Sequence, residues 1–336
     1  MKLDISPRGG NSFLDNIASL IGSKVEDGSI RIPDQMGTGS ISGYILNKNI
    51  RIMIRQYELK QDLNFKISPA KPDKQAVMIA FHHVFKQKEA GSNHLSGPSA
   101  SVGSLPHVQI TSAGISADFF VPANTKMNAI IIGVNVDYLQ ELLQPYKDHA
   151  LLQAITSSNQ PYLFEEIISP RIQDVAQEIV NVNLPIELRS LFFKIKAEEL
   201  IYLLFLELLK RQDKNVQSLN IADVNSLYRV KEKILSSINT PPNLSELAIF
   251  SGMSNSKLGR LFHQVFGQSV YQYYQVFRMK EATSLLKEGH LSVSEVGYRL
   301  GFSNLSHFSK VFEEHIGMKP KKFKMSTSLS PSDRQQ

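Results

Sequence analysis

The pattern of hydrophobic and polar positions changes from strand-like to helix-like at about residue 137. Between residues 29 and 134 the apolar residues fall in short segments, most of them rich in β-branched or aromatic residues, and several alternate apolar with polar positions. Gly, Pro, Asn or Asp commonly lies between the segments, which is typical of strands joined by turns. The predicted strands are SIRIP, SGYILN, IRIMIRQYEL, AVMIAFHHVF, HVQITSAG, ISADFFVP and MNAIIIGVNV. Their spacing predicts a β-sandwich or a small barrel.

From residue 137 the apolar positions recur at i, i+3, i+4 and i+7, which is the spacing of an amphipathic helix. The strongest case is PIELRSLFFKIKAEELIYLLFLELLKRQ, which begins with Pro185, a residue favoured at the start of a helix. Its apolar stripe consists of Leu188, Leu191, Phe192, Ile195, Leu200, Leu203, Leu204 and Leu208. A stripe this wide predicts burial against the β-rich region or against a second copy of the same helix.

Beyond residue 221 the pattern is helical throughout, and one motif occurs twice. The stretches GMSNSKLGRLFHQVFG, at 252–267, and GFSNLSHFSKVFEEHIG, at 301–317, are offset by 49 residues at their start and by 50 after Asn304, where one residue is inserted. Each copy predicts a short apolar helix, a turn at Gly252 or Gly301, and a longer helix. Two helices joined in this way form a helix-turn-helix, whose second helix enters the major groove of DNA.

The second helix of each copy is predicted to have an inward apolar face and an outward polar face. Ser254 and Ser303 are the predicted N-caps of these helices, and Ser245 is that of the first short helix. The inward residues are Leu258, Leu261, Phe262 and Val265 in the first copy and Phe308, Val311, Phe312 and Ile316 in the second. The outward residues are Asn255, Ser256, Gly259, Arg260 and His263 in the first copy and Asn304, Leu305, Ser306, Ser309 and Lys310 in the second.

The segment between the copies, 269–289, has helical periodicity over about 20 residues, which would make a rod roughly 30 Å long. Such a rod could hold two reading helices about one turn of B-DNA apart, near 34 Å. A single helix-turn-helix pattern is common in all-α proteins. Two copies at this spacing favour a reader of two successive major-groove segments.

The distribution of charge agrees with this prediction. The chain has 336 residues, 42% of them hydrophobic, and is large enough for two domains. Residues 221–336 hold 15 Lys/Arg against 9 Asp/Glu, whereas residues 1–220 hold 22 of each. The whole formal charge of +6 therefore lies in the last third, which favours a polyanionic partner.

Several classes of function are excluded or lack support. The absence of cysteine excludes thiolate catalysis, cysteine-based alkyl transfer, disulfide bonds and Cys-ligated metal sites. No apolar run approaches the roughly 18 to 20 residues needed to span a bilayer, and MKLDISPRGG lacks an apolar signal core, so we expect a cytoplasmic protein. GTGSISG, at 37–43, lacks the spacing of a dinucleotide-binding loop and is interpreted as a hinge or turn. His82 and His83 point to opposite faces of a strand, so no metal site is predicted, and no cofactor or catalytic residue is assigned.

Residues 222–325 resemble the double helix-turn-helix DNA-binding domain of the AraC/XylS family of transcription regulators. The resemblance is carried by LSELAIFSGMSNSKLGRLFHQVFG, VFRMKEATSLLKEG and SVSEVGYRLGFSNLSHFSKVFEEHIGMKPKKFK. The family commonly has an acidic residue in place of Asn304 and often Tyr in place of His307. The resemblance implies reading by Ser256, Gly259, Arg260 and His263 on the first helix and by Leu305, Ser306, Ser309 and Lys310 on the second. The candidates for phosphate contact are Lys257, Lys319, Lys321, Lys322 and Lys324.

The N-terminal region resembles, more loosely, the cupin-like sensor or dimerisation domains attached to this family. The resemblance implies a pocket for a small-molecule effector inside the barrel, lined by strands such as IRIMIRQYEL and AVMIAFHHVF. It also implies helices that pair two subunits into a homodimer. The implied partners are double-stranded DNA and RNA polymerase, with activation as the family's more usual mode.

We therefore predict an α+β protein of two domains, with a β-rich cupin-like barrel followed by helices and an all-α domain with two helix-turn-helix motifs. The predicted boundaries are an N-terminal arm with a short helix at 1–28, the barrel at 29–136, a helical extension at 137–212, a linker at 213–221, the DNA-binding domain at 222–325 and a disordered tail at 326–336. The predicted function is a sequence-specific transcription regulator. The alternative is a β-barrel enzyme with an accessory helical module.

Overall fold

The computed structural model describes residues 2–5, 13–67, 76–82, 106–112, 117–121, 123–124, 126–156, 162–182, 184–211, 219 and 221–328. The chain divides into two compact units, and the helical unit at its C-terminal end begins at Ile221. Within the described ranges, no helix combines the length and the apolar character that crossing a bilayer requires.

In the part of the chain that the structure describes, the first unit contains eleven strands, five α-helices and a 3-10 helix at Gln144–Tyr146. The strands are β1 (Lys2–Ile5), β2 (Val25–Glu26), β3 (Ser29–Arg31), β4 (Gly37–Ile45), β5 (Ile50–Leu59), β6 (Leu63–Ile67), β7 (Ala76–His82), β8 (His107–Ser112), β9 (Ala117–Val121), β10 (Lys126–Asn135) and β11 (Leu163–Ile167). The helices are α1 (Phe13–Ile21), α2 (Val136–Leu142), α3 (Ala150–Thr156), α4 (Pro170–Asn181) and α5 (Ile186–Leu208).

The strands form two sheets. The larger sheet is antiparallel and has the order β11-β8-β7-β10-β5-β4-β3-β2. The smaller sheet has the order β1-β6-β9, with β1 parallel to β6. The predicted β-rich region followed by helices is therefore confirmed. Among the described pairings, β11 and β2 remain the edges of the larger sheet, so its hydrogen bonds do not close a barrel.

Two segments of the first unit differ from their interpretation in the sequence. GTGSISG was expected to be a hinge or turn, but it lies within β4. A Cβ atom on Gly37 or Gly39 would lie 2.1 Å from a backbone carbonyl oxygen of β5, so these glycines permit close approach of two strands. Strand β11 lies inside the predicted helical extension because it pairs with β8.

Helices pack on both faces of the larger sheet. Ile50, Ile52 and Ile54 of β5 are buried in one cluster with apolar residues of α2, α3, α4 and α5. Tyr57 and Leu59 of the same strand are buried in a second cluster with residues of α1. Because alternate residues of a strand point to opposite faces, the sheet lies between these two clusters.

Helix α5 has two apolar faces, whereas the sequence predicted a single stripe. Leu200, Leu203, Leu204 and Leu208 are at most 3% exposed and belong to the cluster that covers the sheet. A second row, with 44% to 58% of each residue exposed, consists of Leu188, Leu191, Ile195, Tyr202 and Leu206. We call this second row the exposed α5 row. The C-terminal part of the predicted stripe is therefore packed within the unit, and only its N-terminal part remains open to a partner.

The second unit is helical, as predicted. Its helices are α6 (Ile221–Ser236), α7 (Leu244–Ser251), α8 (Asn255–Phe266), α9 (Val270–Glu288), α10 (Val293–Arg299), α11 (Leu305–Ile316) and α12 (Pro320–Ser328). Helix α9 contacts α6, α8, α10, α11 and α12. Helix α12 continues through 326–328, where the tail was expected to begin, and the rest of that predicted tail lies outside the described residues.

The two predicted glycine turns are confirmed. Gly252 has φ +70° and Gly301 has φ +78°, so both lie in the left-handed region that favours glycine. A Cβ atom on Gly252 would meet nothing within 4 Å, whereas one on Gly301 would lie 2.0 Å from the carbonyl oxygen of Asn239. The second turn therefore requires glycine for its backbone conformation and also for space.

We expect Gly301→Ala to destabilise the protein more than Gly252→Ala. Both variants place a side chain in the left-handed region, at a cost of about 1–2 kcal/mol. Only Gly301→Ala adds a clash with a backbone atom. Thermal unfolding of the intact chain, followed by helical ellipticity, should show the larger fall in midpoint for Gly301→Ala. Equal falls would contradict the role assigned to the Asn239 contact.

Candidate nucleic-acid interface

Helix α8 is fixed by a cap at each end and by one buried face. Ser254 Oγ accepts a hydrogen bond from the Lys257 amide at 3.2 Å, and Gly267 ends the helix in the left-handed conformation. The predicted inward residues are confirmed, each at most 2% exposed: Leu258, Leu261, Phe262 and Val265. The Phe262 ring lies 5.4 Å from that of Tyr273, centroid to centroid, which joins α8 to α9.

The outward face of α8 is open to solvent. Asn255, Ser256, Arg260 and His263 are exposed, and Gly259 is half-buried. Asn255 Nδ2 donates to Ser245 Oγ at 3.0 Å, which joins the start of α8 to α7. Ser245 is not the N-cap of α7, because Asn243 accepts the first amides of that helix. The ionisable side chains of this face are therefore Arg260 and His263.

Lys257 is engaged within the unit. Its Nζ lies 2.8 Å from Asp223 Oδ1 on α6, and the two side chains are 41% and 16% exposed. Lys257 was expected to contact a phosphate. The carboxylate of Asp223 reduces the positive charge available there and ties α8 to α6.

Helix α11 begins one residue later than predicted. Asn304 Oδ1 accepts from the amides of Ser306 and His307 at 2.9 and 3.1 Å, so Asn304 is the N-cap in place of Ser303. In α8 the first inward residue lies four positions after its cap. The residue inserted in the second copy keeps that distance between Asn304 and Phe308, which explains the shift.

The predicted faces of α11 are confirmed in part. Phe308, Val311 and Phe312 are buried, and Ile316 is half-buried. Ser306 and Lys310 are exposed, whereas Leu305 and Ser309 are half-buried. A Cβ atom added to Gly297 would lie 2.8 Å from Leu305 Cδ2, so Leu305 packs against α10 and is not fully outward. Lys310 is 76% exposed, and its Nζ lies 4.0 Å from Glu314 Oε1.

The two copies match position by position beyond the insertion, at an offset of 50. Lys310 therefore occupies the place of Arg260, and Glu313 the place of His263. Glu313 is exposed on α11 but was not among the predicted site residues. The offset itself is the signal that would have found it.

Helix α9 is joined to the second turn by a buried arginine. Arg278 is 4% exposed, and its Nε donates to the Leu300 carbonyl at 2.8 Å. Its guanidinium lies 3.5 Å from the centre of the Phe302 ring. Burial lowers the pKa of Arg278, and the Tyr274 phenol acts against this shift. Burial also lowers the pKa of Lys280, on the same helix, to about 8.

The other lysines predicted to contact phosphate lie at α12. Lys319, Lys321 and Lys322 are exposed. Lys324 is half-buried, and its Nζ donates to the Leu291 carbonyl at 2.8 Å. Lys324 therefore serves the fold, while the other three remain open to a polyanion.

Of the two histidines weighed as metal ligands, the structure describes one, His82. His82 lies on β7 and its ring stacks with His107 of β8, the centroids 4.9 Å apart, whereas His83 lies outside the described residues. Among the residues that the structure describes, no three His, Cys, Asp or Glu side chains are placed to hold a metal ion.

Comparison with known proteins supports the assignment of helix-turn-helix motifs to the second unit. The model of the helix-turn-helix domain family matches residues 247–326. HTH-type transcriptional regulator GbdR of Pseudomonas aeruginosa is 36% identical over 84 residues, covering 25% of this chain and 23% of that protein. HTH-type transcriptional regulator GlxA of Rhizobium meliloti is 33% identical over 95 residues, covering 28% of this chain and 29% of that protein. The chain thus spans about a quarter of the length of these curated relatives.

Solved structures with partial likeness include one regulator domain and one longer chain. The AraC-type regulator from Chromobacterium violaceum is 26% identical, with a TM-score of 0.30. The matched region covers 33% of this chain and 98% of the regulator's chain. ToxT from Vibrio cholerae is 13% identical, with a TM-score of 0.31. The matched region covers 84% of this chain and 100% of the ToxT chain. By the family match and the sequence relatives, residues 247–326 are an AraC-type helix-turn-helix domain, which confirms the resemblance for this part of the chain.

We expect Asp223→Asn to strengthen binding to duplex DNA of random sequence, because it releases the Lys257 ammonium for a phosphate. One additional phosphate contact should steepen the slope of log K against log salt by about 0.9. Fluorescence anisotropy at several salt concentrations measures both quantities. Glu232→Gln, which removes an exposed charge from the same helix, is the matched control. Equal effects of the two variants would show that only net charge matters.

Proposed function

We propose that this chain is a sequence-specific transcription regulator that binds double-stranded DNA and reads two successive major-groove segments. The observation that carries the proposal is the matched pair α8 and α11, which present Arg260 and Lys310 at the same exposed place. The helix-turn-helix match and the names of the relatives, which are transcription regulators, support it.

The connecting helix supports the reading of two segments. Helix α9 has 19 residues, which corresponds to a length of about 28 Å. Successive major-groove segments on one side of B-DNA are about 34 Å apart. Because α8 and α11 both pack on α9, one rigid element sets their separation.

In this proposal Arg260 and Lys310 read base edges. An Arg fork can donate to O6 and N7 of guanine, and Lys can reach the same edge. Glu313, one turn further along α11, can accept from the amino group of cytosine. His263 and the exposed Ser256 and Ser306 complete the two reading faces.

The remaining predicted contacts receive smaller roles. Gly259 has no side chain, and it would let the DNA approach α8 closely. Three others also serve the fold, namely Asn255, Asn304 and Leu305, and Ser309 is half-buried. We propose all four as secondary contacts. Lys319, Lys321 and Lys322 are the proposed phosphate contacts, with Lys257 limited by its pairing with Asp223.

Activation, RNA polymerase as a partner, a small-molecule effector and a cytoplasmic location belong to the same proposal. Activation is favoured by a relative named as an HTH-type transcriptional activator, RhaR of Cronobacter sakazakii, which is 31% identical over 85 residues. The alternative of a β-barrel enzyme has no comparable support, since these relatives are named as regulators.

We also propose that the chain forms a homodimer through the exposed α5 row. Five large apolar side chains on one side of a helix form a contiguous patch of the kind that marks an interaction site. A second copy of the same row offers a matching apolar surface, and two-fold pairing is the commonest symmetry of soluble oligomers.

The DNA proposal is tested by selecting a preferred site from a random duplex library and measuring affinities of the intact chain. Affinity should fall steeply with salt as counterions are released. Arg260→Ala and Lys310→Ala should each weaken the selected site by about 1–3 kcal/mol, which is roughly 5- to 150-fold, if they read bases. Binding to random duplexes should fall much less.

Arg31→Ala, which removes an exposed arginine of β3, is the matched charge control and should leave both affinities nearly unchanged. Equal weakening on selected and random DNA, with a smaller salt slope, would show that Arg260 only contacts phosphate. Failure of any preferred sequence to emerge would refute sequence-specific reading.

The dimer proposal predicts that Leu191→Asp combined with Ile195→Asp gives a folded monomer, because two charges would be placed in the apolar interface. Sedimentation velocity of the intact chain measures the mass, and circular dichroism checks folding. Ser190→Asp, at an exposed position away from the row, should remain dimeric. A double variant that stays dimeric, or a parent chain that is monomeric, would contradict pairing through this row. Leu203 and Leu204 are unsuitable for this test because they are buried in the unit.

A further inference from the structure

The outer face of helix α7 is apolar and open to solvent. Leu247 and Ala248 are at most 4% exposed, and they hold the helix against the rest of the unit. The next two residues, Ile249 and Phe250, are 83% and 41% exposed. A surface helix normally confines its apolar residues to the face that packs on the core. Helix α7 therefore carries apolar side chains that its packing does not require.

Two cations of α6 lie beside the Phe250 ring. Lys233 Nζ is 4.3 Å from the centre of the ring, and the guanidinium carbon of Arg229 is 5.8 Å from it. These two residues are one turn apart on α6, and both are exposed. We call the set of Arg229, Lys233, Ile249 and Phe250 the Phe250 patch. The patch thus joins an apolar surface to two positive charges.

The positive charge of the Phe250 patch is not neutralised by an ion pair. Among the described residues, no carboxylate lies at ion-pair distance from Arg229 or Lys233. Arg229 Nη2 donates to Ser226 Oγ at 3.2 Å, which is a neutral acceptor. The acids Glu232 and Glu246 are exposed on the same two helices, but neither pairs with these cations. Both charges are therefore available to an acidic partner.

Comparison of the two copies argues against a phosphate contact as the reason for the apolar side chains. At the offset of 49 that holds before the inserted residue, Tyr298 of α10 takes the place of Ile249, and Arg299 that of Phe250. Both residues of α10 are exposed. The first helix of a helix-turn-helix crosses the DNA backbone, where a hydroxyl or a guanidinium can donate to a phosphate. Ile249 and Phe250 have no donor, so the first copy favours a different partner at this place.

The spacing of the patch fits an acidic amphipathic helix. A carboxylate bonded to Lys233 Nζ at about 2.8 Å would lie within about 7 Å of the centre of the Phe250 ring. Side chains one turn apart on a helix have Cβ atoms about 5–6 Å apart. A leucine and a glutamate at this separation could therefore contact the ring and the ammonium group together.

We propose that the Phe250 patch binds an acidic amphipathic helix of a partner protein. Apolar side chains of that helix pack on Ile249 and Phe250, and its carboxylates pair with Arg229 and Lys233. Burial of the apolar surface supplies affinity, and the two charges select acidic over basic partners. This interaction goes beyond the proposed function and does not depend on it, because the contact requires no DNA.

The probe is a synthetic peptide of about 20 residues, long enough to form a helix, with Glu and Leu one turn apart on one face and Ala elsewhere. It is titrated into the intact chain, which is isotope-labelled at the isoleucine δ1 methyl groups. Ile249→Val identifies the Ile249 signal, because that variant lacks it. The peptide should shift this signal to saturation and leave that of Ile45, which is 80% exposed in the first unit, unchanged. Absence of a shift at Ile249 would overturn the proposal.

Two matched peptides test the chemistry of the contact. Replacing every Glu of the peptide by Lys should weaken binding about tenfold or more, because like charges then face each other. Replacing every Leu by Gln should also weaken binding about tenfold, because the apolar contact is lost. Equal affinities of the acidic and basic peptides would overturn the proposal.

Variants of the patch locate the binding site. Ile249→Ser should weaken binding of the acidic peptide about fivefold or more, because the peptide buries this side chain. Lys233→Gln should weaken it about two- to fivefold, as expected for an exposed ion pair. The matched controls Ile45→Ser and Lys287→Gln, which change an exposed isoleucine and an exposed lysine elsewhere, should bind as the parent does. Unchanged affinity in both patch variants would contradict binding at this surface.

DNA affinities of the same variants separate a protein-binding surface from a DNA contact. Ile249→Ser should bind selected and random duplexes as the parent does. A loss as large as that caused by Arg260→Ala would show that the patch contacts DNA, and would overturn the proposal. Peptide binding at the Phe250 patch of a chain that selects no DNA sequence would refute the proposed function but leave this interaction in place.

Discussion

The second unit depends on one helix, because both helix-turn-helix motifs are packed on α9. Phe262 of α8 contacts Tyr273, and Arg278 holds the Leu300 carbonyl just before the second turn. A helix of 19 residues has a fixed length and a fixed phase between its two ends. The direction in which Arg260 and Lys310 point is therefore decided by buried contacts on α9 more than by the exposed faces themselves.

The sequence was most informative where periodicity and burial coincide. The inward residues of α8, such as Leu258 and Phe262, could be predicted because a repeat of 3.6 residues leaves one continuous apolar face. Caps were less predictable, since Ser and Asn serve equally well and adjacent residues compete for one place. Asn304, and not Ser303, is the N-cap of α11 because the position of Phe308 in the core fixes where the helix must begin.

Long-range pairing explains the features that the sequence did not reveal. Gly37 and Gly39 of GTGSISG carry no side chain from which a period could be read, and they are needed because the backbone of β5 approaches them closely. Strand β11 is defined by β8, more than fifty residues earlier in the chain. Helix α5 is apolar on two sides, so its own pattern could not tell which side the sheet would cover. For the same reason the sequence placed Leu203 and Leu191 in one predicted apolar stripe, although Leu203 is buried and Leu191 is exposed.

Two arginines, one buried and one half-buried, show how the surroundings of a desolvated charge can differ. Arg278 donates to a backbone carbonyl and lies over an aromatic ring, so its desolvation is compensated within the fold. Arg55 is also desolvated, but its hydrogen bond goes to a thioether and its cross-strand neighbour is an alanine. Burial lowers the pKa in both cases, so the shift alone does not distinguish them. The difference lies in the acceptors, since Arg278 donates to the Leu300 carbonyl whereas the hydrogen bond of Arg55 goes to the thioether of Met53.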